Sequence, residues 1–126
     1  MVLLVVDRSV CGIGWLNATA ARGFSVVSTS CATGLYTVAH EMGHNQGAQH
    51  DPQTSPGTRP FPYGHGFKVE GKHRTVMSYA CRTECQRVNY WSGPRSKFKG
   101  VTLGDKRTSD NARVLNETAG KIASFR

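Results

Sequence analysis

Residues 40–50 read H-E-M-G-H-N-Q-G-A-Q-H, and this stretch constrains the chain more than any other. His40 and His44 are four residues apart, so on a helix both imidazoles lie on one face, one turn apart. Gly47 permits a positive φ angle, which lets the helix end abruptly and the chain bring in His50 from another direction. Three histidines with an open fourth coordination position are typical of a catalytic zinc site.

Glu41 follows the first histidine directly, so its carboxylate is close enough to contact a water on the zinc rather than the ion itself. A carboxylate at that position is the kind of group that acts as a general base. A helix with polar histidines that ends at a glycine cap is the other interpretation of these residues. All five motif residues coincide by chance at roughly a few in ten million start positions, which favours the zinc site.

The longer pattern resembles the metzincin metalloproteases, whose motif H-E-x-x-H-x-x-G-x-x-H is followed by a methionine-containing turn. The turn corresponds to R-T-V-M-S-Y at 74–79, with Met77 placed 27 residues after His50. Asp51, directly after the third histidine, is similar to the reprolysin (adamalysin-like) branch. The resemblance covers about residues 2–126 and includes pieces similar to a bacterial subset with the peptidyl-Asp metalloendopeptidases, namely P-Y-G-H-G at 62–66, R-V-N-Y-W-S-G-P at 87–94 and D-N-A-R at 110–113.

The resemblance implies a zinc-dependent endopeptidase in which the three histidines hold the ion and Glu41 activates a zinc-bound water. It also implies a peptide or protein substrate and a monomeric chain. In the family the methionine corresponding to Met77 packs beneath the histidines and does not bind the metal. Tyr79 corresponds to a tyrosine near the zinc in the astacin and serralysin branches, which implies a role in transition-state stabilisation. A buried aromatic residue whose hydroxyl is satisfied elsewhere is the other interpretation of Tyr79.

In metzincins the segment after the methionine turn forms a wall of the pocket for the residue just after the scissile bond. Here that segment carries Arg82 and Arg87, and Arg74 lies just before the turn. An arginine in such a pocket would pair with a substrate carboxylate through two hydrogen bonds, which predicts Asp or Glu after the cut. Arg87 is the first choice because it lies in the family-like segment R-V-N-Y. Otherwise these arginines are solvated or bind the protein's own carbonyl groups.

The predicted fold class is α+β, a metzincin-like (zincin) catalytic domain with a small twisted sheet, a zinc helix, a loop-rich lower part and a C-terminal helix. One domain is expected over residues 1–126. Its upper part, 1–47, contains the zinc helix, and its lower part, 48–126, contains the third histidine, the methionine turn and the last helix. The continuous apolar run at 2–6 indicates a central strand, and the β-branched segment 24–29 indicates another strand.

The zinc helix is predicted over 35–46, with Val38 and Met42 on a stripe that faces the core. Residues 51–72 are rich in proline and glycine and are predicted to form a loop. A final helix is predicted over 109–124, with Ser109 or Asp110 as its N-cap. Its apolar stripe consists of Ala112, Leu115, Ala119 and Ile122.

Only 39 residues precede His40, whereas a metzincin catalytic domain has a longer upper part with a five-stranded sheet and an additional helix. The resemblance implies that the first strands and the first helix lie outside this sequence, so the domain is expected to be N-terminally incomplete. This expectation leaves a second function open, a truncated and inactive zinc-binding remnant that acts as a binding module.

Four cysteines allow three disulfide pairings, and proximity in sequence favours Cys11 with Cys31 and Cys81 with Cys85. A second metal site that includes His73 is the alternative use of these thiols, although no C-x-x-C pair is present. Paired cysteines imply an oxidising compartment, so we expect a secreted or extracytoplasmic protein.

The net charge is +8, from 16 basic and 8 acidic residues. The excess of basic residues indicates either a solvated surface or attraction to acidic substrates or polyanions. No nucleic-acid-binding motif accompanies the charge, so no nucleic-acid partner is predicted. No apolar run reaches the roughly 18 residues of a membrane span, so no membrane association is predicted. The basic residues after the zinc motif include Arg82, Arg87, Arg95, Lys97, Lys99, Lys106 and Arg107.

Overall fold

The computed structural model describes residues 2–7 and 9–125, which form a small α+β arrangement with two α-helices. Three strands precede the first helix, and five strands lie between the two helices. The strands are β1 (Val2–Val6), β2 (Gly12–Gly14), β3 (Phe24–Ser28), β4 (Lys68–Val69), β5 (His73–Arg74), β6 (Gln86–Arg87), β7 (Gly93–Phe98) and β8 (Val101–Leu103). The helices are α1 (Thr37–Gln46) and α2 (Asn111–Ala123).

The first sheet has the strand order β1-β3-β2, so β3 is its central strand. β3 runs parallel to β1 and antiparallel to β2, and Val26 lies between Leu4 and Ile13. The prediction that β1 is a central strand is wrong for the described sheet, since β1 lies at an edge and Leu4 is 54% exposed. A continuous apolar run is compatible with burial on both faces, but the pairing partners of a strand are not specified by its own sequence.

Helix α1 begins at Thr37, two residues later than predicted, and ends where the sequence predicts. Gly47 has a φ of 101° and its N–H donates to the carbonyl of His44, so the glycine caps the helix in the left-handed conformation. The predicted core-facing stripe of Val38 and Met42 is wrong, because both side chains are only half-buried. The buried side of α1 instead consists mainly of polar residues, namely Thr37, His40, Glu41, Gly43 and Asn45.

Asn45 explains why α1 buries polar residues against the first sheet. Its side chain is fully buried, and its Nδ2 donates to the carbonyls of Trp15 at 3.0 Å and Phe24 at 3.3 Å. Its Oδ1 accepts a hydrogen bond from the Ser25 hydroxyl at 2.9 Å. Leaving one buried partner unpaired would cost more than the bond itself contributes, so this network resists rotation of the helix. Hydrogen bonds therefore set the orientation of α1 on the sheet.

The lower part contains two small sheets that local sequence patterns do not predict. Strands β4, β5 and β6 form one sheet in that order, and β7 pairs with β8 in another. The predicted loop over 51–72 is irregular except for β4 at its end. Strands β4, β5 and β6 have only two residues each, which is too short to show an alternating pattern. The tertiary structure alone therefore defines these three strands.

Helix α2 is capped by Asp110, whose carboxylate accepts a hydrogen bond from the Arg113 N–H at 3.1 Å, as the sequence predicts. The predicted apolar stripe is wrong, because α2 buries a different side. Its buried residues are Asn111, Val114 and Thr118. Asn111 accounts for the difference. Its Nδ2 donates to the carbonyl of Gly64 at 2.6 Å, and this buried hydrogen bond turns the side containing Asn111 toward the core.

Two disulfides brace the loops, and they join the cysteines that sequence proximity favours. Cys11 is bonded to Cys31, and Cys81 is bonded to Cys85. The four thiols are therefore unavailable for the alternative metal site with His73. Neither helix in the described part of the chain is long and apolar enough to cross a membrane.

Candidate metal centre

The three predicted histidines meet at one point between α1 and the loop that follows it. The Nε2 atom of His50 lies 3.1 Å from that of His40 and 2.9 Å from that of His44. Two nitrogens bound tetrahedrally to zinc at about 2.0–2.1 Å would be about 3.3–3.4 Å apart, so only a small outward movement is needed to admit the ion. Among the described residues, 2–7 and 9–125, these three histidines form the group of His, Cys, Asp or Glu side chains that could hold a metal ion.

The other ring nitrogens fix the tautomers of the two helical histidines. His40 Nδ1 lies 2.8 Å from the carbonyl of Val76, and His44 Nδ1 lies 2.9 Å from that of Ala48. Because a carbonyl oxygen can only accept, each Nδ1 carries the proton and donates it, which leaves a lone pair on each Nε2. Two lone pairs aimed at the same point are stabilised by a cation between them. The residues therefore fit a bound metal ion, and the backbone orients its ligands as is usual for such sites.

The electrostatic environment keeps the imidazoles neutral, which is the form that binds metal. Burial, together with the nearby His44, lowers the pKa of His40 to about 3. Burial also lowers the pKa of His50 to about 4 and lowers that of His44. Each residue is thus able to offer a lone pair at neutral pH.

Asp51 ties the loop of the third histidine to the turn that contains Met77. Its Oδ2 accepts a hydrogen bond from the Tyr79 N–H at 3.0 Å, and its Oδ1 lies 2.9 Å from Lys68 Nζ. Burial raises the pKa of Asp51, but the hydrogen bonds from Lys68 and the Tyr79 amide outweigh it and the net pKa is lowered. Asp51 thus acts as a buried brace and is not among the converging metal ligands.

Met77 is fully buried, and its sulfur lies close to Gly43 of α1. A Cβ atom added to Gly43 would lie 2.9 Å from both Met77 Sδ and Trp91 Cζ3, so the helix can approach this floor only because residue 43 is glycine. Ala48 packs in the same cluster. Sequence reasoning missed Gly43 and Trp91, because a glycine inside a helical motif gives no sign of what approaches it.

Glu41 lies on the opposite side, with its carboxylate against the backbone of β2. A Cβ atom added to Gly12 would lie 2.7 Å from Glu41 Cγ and Oε1, and one added to Gly14 would lie 3.2 Å from Glu41 Oε2. Burial raises the pKa of Glu41 to about 7, although the charge of Arg87 opposes this effect. Sequence reasoning also missed these two glycines, although their alternation in a short strand could have indicated a close approach.

The cleft beside Glu41 has a volume of about 260 Å³ and is also lined by His40, Tyr79 and Arg87. Tyr79 is 48% exposed, so it is not the buried aromatic that the alternative interpretation requires. Its ring centroid lies 4.2 Å from that of His50. The structure therefore brings Tyr79 and one of the predicted specificity arginines, Arg87, to the cleft that His40 lines.

The three candidate arginines lie in different environments. Arg87 donates to the carbonyls of Leu35 at 2.7 Å and Ser78 at 3.2 Å, and Arg74 donates to the same Ser78 carbonyl at 2.6 Å. The Nε atoms of both are buried without a hydrogen-bond partner in the described part of the chain. Burial and the charge of Arg74 lower the pKa of Arg87 to about 10. Arg82 is exposed in the loop closed by the second disulfide and is absent from the cleft lining.

Nitrogen atoms of three histidines surround one point, and a buried carboxylate lies nearby in a cleft. This donor set is that of a hydrolytic metal site, and it defines a metalloprotein. The family profile for Metallo-peptidase family M12 (Reprolysin_5) matches residues 1–92. The chain therefore belongs to the M12 metallopeptidases, in the metzincin-like group that the sequence motif predicts.

Several curated relatives are named peptidyl-Asp metalloendopeptidase. The one from Xanthomonas campestris pv. campestris is 47% identical over 99% of this chain and 30% of its own length. The one from Stenotrophomonas maltophilia strain R551-3 is 44% identical over 99% of this chain and 31% of its own length. The one from Pseudomonas fragi is 44% identical over 79% of this chain and 65% of its own length. The chain thus spans about a third of the length of the first two relatives.

A similar fold occurs in a solved structure described as "Structure of a chaperone-substrate complex". The TM-score is 0.75 at 25% identity, and the match covers 98% of this chain and 20% of that chain. The arrangement of strands, helices and connecting loops is therefore shared with a segment of a much longer protein.

Proposed function

We propose that this chain is a zinc-dependent endopeptidase domain with a metzincin-like fold. The observation that carries the proposal is the convergence of His40, His44 and His50 on one point, together with the cleft that His40 and the buried Glu41 both line. The names of the relatives support the same activity. We assign one domain to 1–126, with an upper part at 1–47 and a lower part at 48–126 that supply different sides of the site.

A zinc ion bound by His40, His44 and His50 would supply Lewis-acid chemistry, namely the polarisation of a carbonyl and a bound-water pKa of about 7. Glu41 accepts the proton of the attacking water and then donates it to the leaving amine. Burial raises the pKa of Glu41 to about 7, close to neutral pH. A nearby divalent cation favours the carboxylate form, so Glu41 enters the reaction ready to accept.

Strand β2 offers a place for the substrate backbone. It pairs with β3 on one side within the described sheet, and Ile13 at its centre is 68% exposed. An extended peptide can add to such an edge through main-chain hydrogen bonds. Gly12 and Gly14 place this edge directly over Glu41, so a peptide bound along β2 would lie beside the general base.

Tyr79 is proposed to stabilise the charge that develops on the scissile carbonyl oxygen. It lines the cleft, and its half-exposed ring packs at a tilt against His50. Tyr79→Phe should lower kcat about 10²-fold, the lower end of the scale for removal of one donor to an oxyanion. Zinc content and KM should stay unchanged in steady-state kinetics and metal analysis. Unaltered kcat would limit Tyr79 to packing against His50.

Arg87 is proposed to recognise a substrate carboxylate, with Arg74 as its neighbour. Arg87 lines the cleft, both guanidinium groups donate to the Ser78 carbonyl, and each keeps one buried N–H without a partner in the described chain. Neither of them forms an ion pair with a carboxylate of the described residues. An anionic side chain of a substrate would supply the missing charge, which supports cleavage beside Asp or Glu.

Arg87→Ala should therefore flatten the preference for acidic residues after the cut by about 10- to 100-fold in kcat/KM, the scale of a charged hydrogen-bonded contact. Cleavage before Leu or Phe should be spared. A peptide library read by mass spectrometry measures cleavage before acidic residues and before Leu or Phe. Arg87→Lys tests the variant that retains the charge, and Arg82→Ala, at an exposed position, is the matched control. A library in which apolar residues dominate this position in the unmodified protein would contradict the carboxylate pocket.

Secretion into an oxidising compartment is proposed from the two disulfides. The chain is proposed to act as a monomer on peptide or protein substrates. The inactive zinc-binding remnant remains the competing function, because the matched segments cover only about a third of the first two relatives.

The test of the proposed function is hydrolysis of an unfolded protein by the zinc-loaded chain. We expect new peptide termini in mass spectra, and we expect a chelator to abolish them until zinc is restored. Stoichiometric zinc without any cleavage would contradict the endopeptidase and favour the binding module.

A further inference from the structure

A second groove lies between β7 and the first turns of α2. Its volume is about 570 Å³, which is within the range of ligand-binding pockets. It shares no lining residue with the cleft beside Glu41, so it is a separate feature of the surface. Its lining combines uncharged residues such as Pro94 and Ala112 with the cationic side chains of Arg95 and Lys106.

The cations of this groove are not neutralised by the chain itself. Neither Arg95 nor Lys106 forms an ion pair with a carboxylate in the described part of the chain. Three cations, Arg95, Lys106 and Arg113, line the groove against the two acids Asp110 and Glu117, and Glu117 pairs with Arg113. Positive charge at Arg95 and Lys106 is therefore available to a partner.

The exposed side of β7 extends this charge along the surface. Arg95 and Lys97 are both exposed and alternate with half-buried neighbours along β7. An extended polypeptide has the same two-residue period, so acidic side chains at alternate positions can face both cations. The pairing of β7 with β8 shifts register between Gly93 and Lys97, an irregularity of the kind that redirects side chains.

We propose that the groove and the exposed side of β7 form an exosite for acidic polypeptide segments of the substrate, defined by Arg95, Lys97 and Lys106. This exosite rests on the proposed endopeptidase function, since the segment it binds belongs to a substrate. None of the described residues that line the groove is aromatic, so it lacks the stacking platform of single-stranded nucleic-acid sites. The net charge of +8 adds long-range attraction to the same class of partner.

The test measures binding of a fluorescent peptide with alternating Glu and Ser by anisotropy, using zinc-loaded Glu41→Gln protein so that the peptide stays intact. The double variant Arg95→Gln with Lys106→Gln should weaken binding about five- to tenfold, the scale of two exposed ion pairs. The matched control is Arg59→Gln with Lys72→Gln, which removes the same charge from exposed positions elsewhere. The control should change binding less than about twofold.

Hydrolysis of a short neutral peptide by the active protein distinguishes the exosite from the endopeptidase function. The rate of this hydrolysis should be the same in the Arg95→Gln, Lys106→Gln variant as in the unmodified chain. The KM for a substrate with an acidic extension should rise in the variant. Absent hydrolysis with intact binding of the acidic peptide would contradict the proposed activity alone. Equal weakening by the control variant would overturn the exosite, and so would tighter binding of oligothymidylate or a sulfated polysaccharide than of the acidic peptide.

Discussion

Glu41→Gln is expected to leave zinc bound and to slow peptide hydrolysis by at least about 10²-fold, the usual scale of a general base. The amide has nearly the same shape as the carboxylate, so it fits beneath Gly12 and Gly14 without a clash. It cannot accept the proton of the attacking water, and it cannot return a proton to the leaving amine. The defect should therefore appear in kcat, while KM for the same substrate changes little.

The measurement is steady-state hydrolysis of one peptide together with zinc analysis of the same samples. Glu84→Gln is the matched control, because Glu84 is an exposed acid in the loop between Cys81 and Cys85. It should retain the kcat of the unmodified chain. Turnover of Glu41→Gln near the unmodified rate would remove Glu41 from the proposed mechanism.

The metal centre could be predicted because most of its geometry is local. Helical spacing alone places His40 and His44 on one face, and the glycine at 47 ends the helix where the chain must turn. The position of His50 follows from that turn. In contrast, the support beneath the site depends on residues far away in sequence, such as Trp91 against Gly43. No local pattern records such contacts.

The rotation of both helices could not be predicted, because each is fixed by a buried amide. Asn45 holds α1 to the first sheet, and Asn111 holds α2 to the segment around Gly64. Apolar periodicity selects the side of a helix that avoids water, but it gives no weight to an amide that finds several partners at once. For α2 the buried stripe therefore starts at Asn111 and not at Ala112.

The arginines show a similar limit of sequence patterns. Arg82 and Arg87 both follow the methionine turn, and charge alone does not distinguish them. Arg87 reaches the cleft because β6 pairs with β5, which brings it beside Arg74. The disulfide between Cys81 and Cys85 closes the loop that carries Arg82 away from the cleft lining. A three-dimensional pairing of two-residue strands thus decides which cation can meet a substrate.

His44→Ala is expected to lower the affinity for zinc by more than about 10²-fold, exceeding the effect of losing a group that merely orients a ligand. The substitution removes one Nε2 lone pair and the hydrogen bond from Nδ1 to the Ala48 carbonyl. Zinc analysis after dialysis should show one ion per chain before the change and far less after it. Because zinc binds the folded state, the zinc-dependent rise in Tm should disappear as well.

His73→Gln is the matched control, since His73 is buried against Phe98 and outside the converging cluster. It can lower the Tm of the zinc-free protein, but the increase that zinc produces should persist. Full zinc retention by His44→Ala would contradict the assignment of His44 as a ligand. This test addresses the metal site alone, because an inactive remnant would also lose zinc. An active endopeptidase must lose zinc in His44→Ala. In Glu41→Gln it must retain zinc and lose turnover. Only the result for Glu41→Gln separates the endopeptidase from the inactive remnant.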